Sequence, residues 1–240
     1  MFASLLALFS SIGIAEFYNM AMPHRKLELW PASLFGSILV FIPLIQNDKL
    51  IFVCVGLLFI GFSLLFLFRV HSIEAAAQDA GLALLAFIYI PFLLMHLLML
   101  RQTAFGVQWL FVIMLIVMTN DSAAYYVGCR FGKNRLYPLV SPKKSIEGAI
   151  GGVLGSLCGT LLAKFTFFPQ LTLQDSIVTA IVIGIIGQTG DLFESLLKRS
   201  FGVKDSGTLI PGHGGVLDRL DSILFAAPVT YYYVLFFFRG

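Results

Sequence analysis

Charge is scarce in this chain: only 12% of its 240 residues are Asp, Glu, Lys or Arg, against about 25% in a soluble domain. That excludes an ordinary water-soluble fold. Tryptophan occurs twice and cysteine three times. Cys54, Cys129 and Cys158 are scattered without a C-x-x-C pair, so neither a disulfide framework nor a zinc site is expected. The net charge of +3 is too small an excess to indicate a nucleic-acid partner. What abounds is apolar sequence: 58% of residues are hydrophobic and the mean hydropathy is +0.91. A bilayer core about 30 Å thick takes roughly 20 apolar residues per helical crossing, so the chain has room for about eight crossings with short connections. The expected fold is all-α, a polytopic integral membrane helical bundle of about eight transmembrane helices.

Apolar runs between charged or turn-rich stretches place these spans near 1–18, 31–46, 50–69, 82–100, 107–127, 145–165, 176–190 and 220–238. The first run has no basic leader and continues into Glu16-Phe17-Tyr18, so it reads as a helix and not as a cleavable signal. Cations sort the connections. Arg25, Lys26, Arg69, Arg130, Lys133, Arg135, Lys143, Lys144, Lys198, Arg199, Lys204 and Arg219 fall on one side, whereas Lys49, Arg101, Lys164 and Arg239 fall on the other. The richer side is cytoplasmic by the positive-inside rule, which puts the N-terminus outside in an eight-span arrangement. Residues 1–106 are Leu/Phe-rich with sparse polar groups and read as lipid-facing scaffold. Residues 107–240 hold nearly all the glycine-bounded polar clusters, with cytoplasmic loops at 128–144 and 190–219. The chemistry is expected there.

The densest cluster runs from Ser195 to Ser222. Asp191, Ser195 and Lys198 are spaced i, i+4, i+7 and share a helical face, as do Asp218 and Asp221 at i, i+3. Carboxylates at a membrane boundary are costly unless paired or metal-bound, so their convergence indicates a divalent-cation site. Mg²⁺ suits it, because it takes oxygen ligands, keeps waters and bridges to substrate phosphates. Lys198, Arg199, Lys204 and Arg219, with glycines at 207, 212, 214 and 215, describe a phosphate cradle of cations and exposed amides. A second cluster begins at Asn120-Asp121 and continues through Tyr125, Gly128, Lys133 and Ser141-Pro142-Lys143-Lys144-Ser145-Ile146-Glu147-Gly148. Asp121 lies in an apolar span, where an acid is a functional candidate by default. Ser141 and Pro142 are placed to start the next helix, leaving its first amides, Lys143 and Lys144 facing an anion. The alternative for this stretch is a basic segment that attracts anionic lipid heads.

The run from Ser195 to Asp221, S-x-x-K-R, K-D at Lys204-Asp205, H-G-G at His213-Gly214-Gly215 and D-R-x-D at Asp218, resembles the signature of the phosphatidate cytidylyltransferase family. The Asp121-x-x-Ala-Tyr-x-x-Gly and Ser-Pro-Lys-Lys-x-x-Glu-Gly segments resemble it too, so the likeness spans roughly 120–222. It implies an integral membrane enzyme that condenses CTP with phosphatidic acid into CDP-diacylglycerol and pyrophosphate. It implies Mg²⁺ held by Asp191 and Asp218, K⁺ beside it, and a place in the bacterial inner membrane with the site on the cytoplasmic side. Two departures stand out: family members usually carry more residues before the segment matching Leu6 to Met20, and Ser145 stands where Thr is usual.

Two polyanions must meet in that reaction, so fixed positive charge is the useful catalyst. Asp191, Asp218 and Asp221 are assigned to the metal. Lys198, Arg199, Lys204 and Arg219 are assigned to phosphates, and Ser195 to the metal or a phosphate oxygen. Asp121, Lys133, Lys143, Lys144, Ser145, Glu147, Asp205, Gly214 and Gly215 complete the expected substrate site. His213 either protonates the departing pyrophosphate or orients the loop. His24 and His71 read as interfacial loop residues. A homodimer is compatible with this sequence, and two other functions are kept: a CTP-using lipid kinase or archaeal-type lipid cytidylyltransferase, and an ion-coupled transporter.

Overall fold

The computed structural model describes all 240 residues except Gln46, Val70, His71, Ile210, Pro211 and His213, with the backbone alone for Asp48. Each apolar stretch expected from the sequence falls on a helix. The order is α1 (Phe2–Ala21), α2 (Leu29–Phe41) with a 3-10 turn Ile42–Ile45, α3 (Asp48–Leu67), and α4 (Ile73–Phe87) leading through a π turn Ile88–Phe92 into α5 (Leu93–Arg101). After these come α6 (Gly106–Phe131), the strands β1 (Arg135–Tyr137) and β2 (Ser141–Ser145), α7 (Ile146–Thr166), α8 (Leu173–Ser200) and α9 (Leu217–Phe236). The π turn is where Pro91 breaks the i→i−4 ladder.

The protein is an all-α integral membrane protein. Six helical stretches among the described residues are long and apolar enough to cross a bilayer: Phe2–Ala21, Lys49–Leu67, Ile73–Arg101, Gly106–Phe131, Ile146–Thr166 and Leu173–Ser200. The other two expected spans are helical but fall outside this set. Leu29–Ile45 is apolar and shorter, while α9 carries Asp218, Arg219 and Asp221 at its start.

Two stretches differ from expectation. Residues 69–81 were expected as a connection, yet helix begins at Ile73, because Glu74-Ala-Ala-Ala-Gln is strongly helix-forming. Ser141 and Pro142 do not start α7. They lie in β2, paired antiparallel with β1, and a two-stranded ribbon tolerates proline because each strand has a free edge. Helix begins after Ser145, whose side chain accepts from Gly148 N at 3.1 Å, the stronger N-cap.

Packing divides the chain into two units, Met1–Met99 with Asp205–Asp218, and Leu100–Lys204 with Arg219–Gly240. In the first, α1 and α2 pack together beside a buried ionic knot. Arg25 Nε donates to Asp79 Oδ2 at 2.6 Å, its Nη1 donates to Arg69 O at 3.2 Å, and its guanidinium lies 4.8 Å from the Phe66 ring centre. His24, expected as a bland loop residue, pairs with Asp79 at 3.0 Å; His71 lies outside the described residues. A lone arginine at this depth would be very costly, and the pairing with Asp79 makes it tolerable.

In the second unit α7 presents small residues to α6, which lets the two backbones approach closely. A Cβ at Gly155 would stand 2.5 Å from both Thr119 O and Ala123 Cβ. A network of amides locks the third partner: Asn120 Nδ2 donates to Ser156 Oγ at 2.8 Å and to Gly184 O at 3.2 Å, while Gln188 Nε2 donates to Asn120 Oδ1 at 2.9 Å and to Ala149 O at 3.0 Å. Gly155→Val forces α6 and α7 apart and is expected to cost about 1–3 kcal/mol, read as a lower thermal midpoint in detergent. An unchanged midpoint contradicts the close packing.

Candidate active site

The network around Asn120 fixes the floor of a cavity of about 550 Å³ in the second unit, lined by α6, the hairpin, α7 and α8. Its polar lining includes Asp121, Tyr125, Arg135, Lys143, Lys144, Ser145 and Asp191, with Asn120 and Gln188. Lys144 Nζ and Asp191 Oδ2 form an ion pair of 2.5 Å across it, and each side chain is 30% exposed. The pair is therefore open to exchange with a ligand. A surface-accessible pair contributes little to stability, which frees both partners for another use.

Helix geometry gathers the acids. Asp191 is one residue beyond Gly190, where a Cβ would stand 2.6 Å from Asp221 O. That gap lets α9 come close to α8 and brings Asp221 beside Asp191. Asp221 feels the charges of Asp191, Asp121 and Lys198, and Asp121 feels those of Asp191, Lys144 and Arg219. Three acids thus share one electrostatic neighbourhood with three cations. Among the described residues no three carboxylate, His or Cys groups stand close enough to clasp a metal unaided. The set still fits a hard divalent cation, whose usual site in phosphate enzymes is one or two carboxylates completed by water and substrate phosphate oxygens.

Other expected residues have visible partners of their own. Ser145 is the buried cap of α7. Glu147 turns toward the hairpin, accepting from Lys133 N at 3.1 Å, Asn134 N at 3.2 Å and Asn134 Nδ2 at 2.8 Å, and neither it nor Lys133 is among the residues that line the cavity. Lys198 pairs with Glu194 at 2.5 Å in the interior of α8. Arg199 Nη1 donates to Val203 O at 3.3 Å, Ser195 is half-buried one turn beyond Asp191, and Lys204 is exposed.

In the first unit Asp218 Oδ2 accepts from Ser206 N at 2.9 Å, Ser206 Oγ at 3.0 Å and Gly215 N at 2.7 Å. Gly214 adopts φ +81° against this carboxylate, a left-handed conformation that favours glycine. Asp205 is exposed at the start of this loop. His213 lies outside the described residues.

Sequence reasoning missed Glu16. Its carboxylate, 7% exposed, accepts from Val216 N at 2.9 Å and Leu217 N at 2.8 Å. The signal was available, because an acid within an apolar span is a functional candidate. Gln188 was also missed, and Asn120 was named at the head of its cluster without a role, since neutral amides in apolar spans give a weaker signal.

Fold and site together define a polytopic membrane protein with an acid- and cation-lined cavity suited to phosphate groups. A model of the cytidylyltransferase family matches residues 1–237. The chain is similar to the phosphatidate cytidylyltransferase of Staphylococcus haemolyticus, 35% identical over 232 residues, 95% of this chain and 86% of that protein. It is similar to those of Bacillus subtilis, 37% identical over 163 residues (67% and 60%), and Thermotoga maritima, 41% identical over 152 residues (61% and 56%). The chain belongs to the cytidylyltransferase family, and is accordingly an enzyme, a nucleotidyltransferase. CTP use in this family is consistent with a divalent metal.

Proposed function

We propose that this protein is a phosphatidate cytidylyltransferase, joining CTP to phosphatidic acid to give CDP-diacylglycerol and pyrophosphate. The observation that carries the reading is the cavity of about 550 Å³ lined by Asp121 and the Lys144–Asp191 pair, with Asp221 within electrostatic reach of both acids, in a chain whose relatives bear that name. A phosphate oxygen of the lipid attacks the α-phosphorus of CTP, a new P–O bond forms, and the bond to the bridging oxygen of the β-phosphate breaks. Pyrophosphate takes that electron pair away. A phosphate monoester is largely ionised near neutral pH, so no strong base is needed.

Positioning and neutralisation are the protein's tasks. Lys144, Lys143 and Arg135 meet the incoming anions, and Lys198, Arg199, Lys204 and Arg219 balance charge on the phosphates. Ser195 serves a phosphate oxygen. Asp191 and Asp221 would hold Mg²⁺, with Asp218 assigned there by the D-R-x-D pattern and K⁺ beside it; when bound, Mg²⁺ neutralises charge developing on the phosphates. The cation-rich loops favour a site on the cytoplasmic side, and the proposed setting is a bacterial inner membrane, where lipid enters sideways and CTP from water.

The test is pyrophosphate release from CTP and phosphatidic acid in mixed micelles, with label in the cytosine ring or the γ-phosphate. Cytidine on the lipid is expected. Transfer of the γ-phosphate alone would make this a kinase, and cation flux across sealed vesicles without CTP use would make it a transporter. Lys144→Met removes a charge-assisted contact worth about 1.5–3 kcal/mol. It is expected to raise the CTP concentration for half-maximal rate at least about tenfold; an unchanged value takes Lys144 out of the phosphate site.

A further inference from the structure

We propose that Glu16, on the first transmembrane helix and outside the segments that resemble the family signature, is the positioning residue for the two ends of the glycine-rich loop, 205–207 and 214–217. Both carboxylate oxygens are committed to that loop: Oε1 accepts from Val216 N at 2.9 Å, and Oε2 accepts from Leu217 N at 2.8 Å and Ser206 Oγ at 3.2 Å. Leu217 opens α9, and Val216 before it has no side-chain acceptor with which to cap the helix. Glu16 supplies the acceptor from another helix, placing negative charge at the amide end where it is favourable.

Both ends of the loop fit closely against this carboxylate. A Cβ on Gly207 would stand 2.7 Å from Glu16 Oε1, and one on Gly215 would stand 2.3 Å from Ser206 Oγ and 2.5 Å from Glu16 Oε2. Neither glycine has a positive φ, so it is the room left for Glu16, and at Gly215 for Ser206 as well, that calls for glycine at these positions. Ser206 then links two acids. Its hydroxyl lies within hydrogen-bond distance of both Glu16 Oε2 and Asp218 Oδ2, and its amide donates to Asp218. One hydroxyl proton serves only one acceptor at a time, so the two carboxylates compete for it and their placements are tied. Among the described residues, the groups hydrogen-bonded to Glu16 are donors: two N–H and one O–H. An ionised carboxylate suits such a nest, while an amide of the same shape would turn its own N–H₂ against a donor.

The inference rests on the proposed reading to the extent that Asp218 and the flanking Lys204 and Arg219 handle metal and phosphates. Its test uses the full chain in detergent with the variants Glu16→Gln, Glu16→Ala and Ser206→Ala. Three quantities are measured: tryptic cleavage within 199–219 without substrate, kcat and KM for CTP and phosphatidic acid, and the thermal midpoint. Glu16→Gln is expected to accelerate loop cleavage about tenfold, the effect of one lost hydrogen bond on the open population. It is expected to lower kcat about ten- to a hundredfold, as misplacement of reacting groups does, with KM for phosphatidic acid unchanged. Should Glu16→Ala fail to fold, Ser206→Ala decides: added to Glu16→Gln, it produces less than the sum of the two effects if both act through one linkage. Loop cleavage and kcat within twofold of wild type, cleavage spread along the whole chain, or additive effects overturn the proposal. If wild type releases no pyrophosphate, the proposed function fails while the cleavage arm still decides this one.

Discussion

Asp191→Asn is expected to lower pyrophosphate release by about 10²–10³-fold, on the order of 3–4 kcal/mol of transition-state stabilisation. Asparagine keeps the volume and one acceptor oxygen, and the position is 30% exposed, so no packing is lost and the thermal midpoint stays put. What disappears is one negative charge. In a site where Asp121, Asp191 and Asp221 share a neighbourhood with Lys144, Lys198 and Arg219, that charge sets the balance between holding a cation and holding a phosphate. Loss of metal affinity appears as a higher Mg²⁺ concentration for half-maximal rate, and Asp191→Glu, with the charge retained on a longer arm, is expected to recover part of the activity. A near-normal rate in Asp191→Asn at ordinary Mg²⁺ refutes the assignment. Lys144 also loses its partner in this variant, so Lys144→Met and the double variant separate the two effects: non-additive losses mean that both act on one ligand.

The helices could be read from composition because a bilayer demands long apolar runs, and nothing subtler than counting locates them. The same reasoning singled out Asp121, since an acid in such a run is conspicuous, and helical spacing singled out Asp191; both line the cavity. The hairpin at Arg135–Tyr137 and Ser141–Ser145 escaped it: Ser-Pro-Lys-Lys-Ser has neither the alternation of a strand nor the apolar period of a helix. Glu147 shows a deeper limit. Its neighbourhood in sequence marks it as a polar residue near the site, yet whether its carboxylate faces a ligand or the amides of Lys133 and Asn134 depends on a turn that only coordinates define. Lys198 was read as a phosphate ligand while Glu194, one turn earlier, went unweighed, although an i, i+4 pair is visible in the sequence. Long-range capping is the least legible of all. Glu16 meets Val216 and Leu217 across some 200 residues, and no local pattern announces it.

Asp218→Asn separates the two roles that this residue could fill. Among the described residues Oδ2 accepts from Ser206 N, Ser206 Oγ and Gly215 N, and the carbonyl oxygen of asparagine accepts the same three if the amide turns its N–H₂ the other way. The loop therefore survives the substitution and only the charge is lost. If Asp218 contributes charge to the metal, Asp218→Asn loses at least about a hundredfold in turnover while tryptic cleavage of 199–219 stays at the wild-type rate. Asp218→Ala removes the acceptor as well, leaving Ser206 N and Gly215 N unsatisfied at a cost of about 1–3 kcal/mol each; it is expected to show the same loss in turnover with faster cleavage. The reverse pattern, Asp218→Asn active and Asp218→Ala inactive with a loosened loop, would make Asp218 a loop anchor and leave the metal to Asp191 and Asp221. Charge and geometry are thus read on separate instruments, turnover for one and protease for the other, and neither outcome can be mistaken for unfolding so long as the thermal midpoint holds.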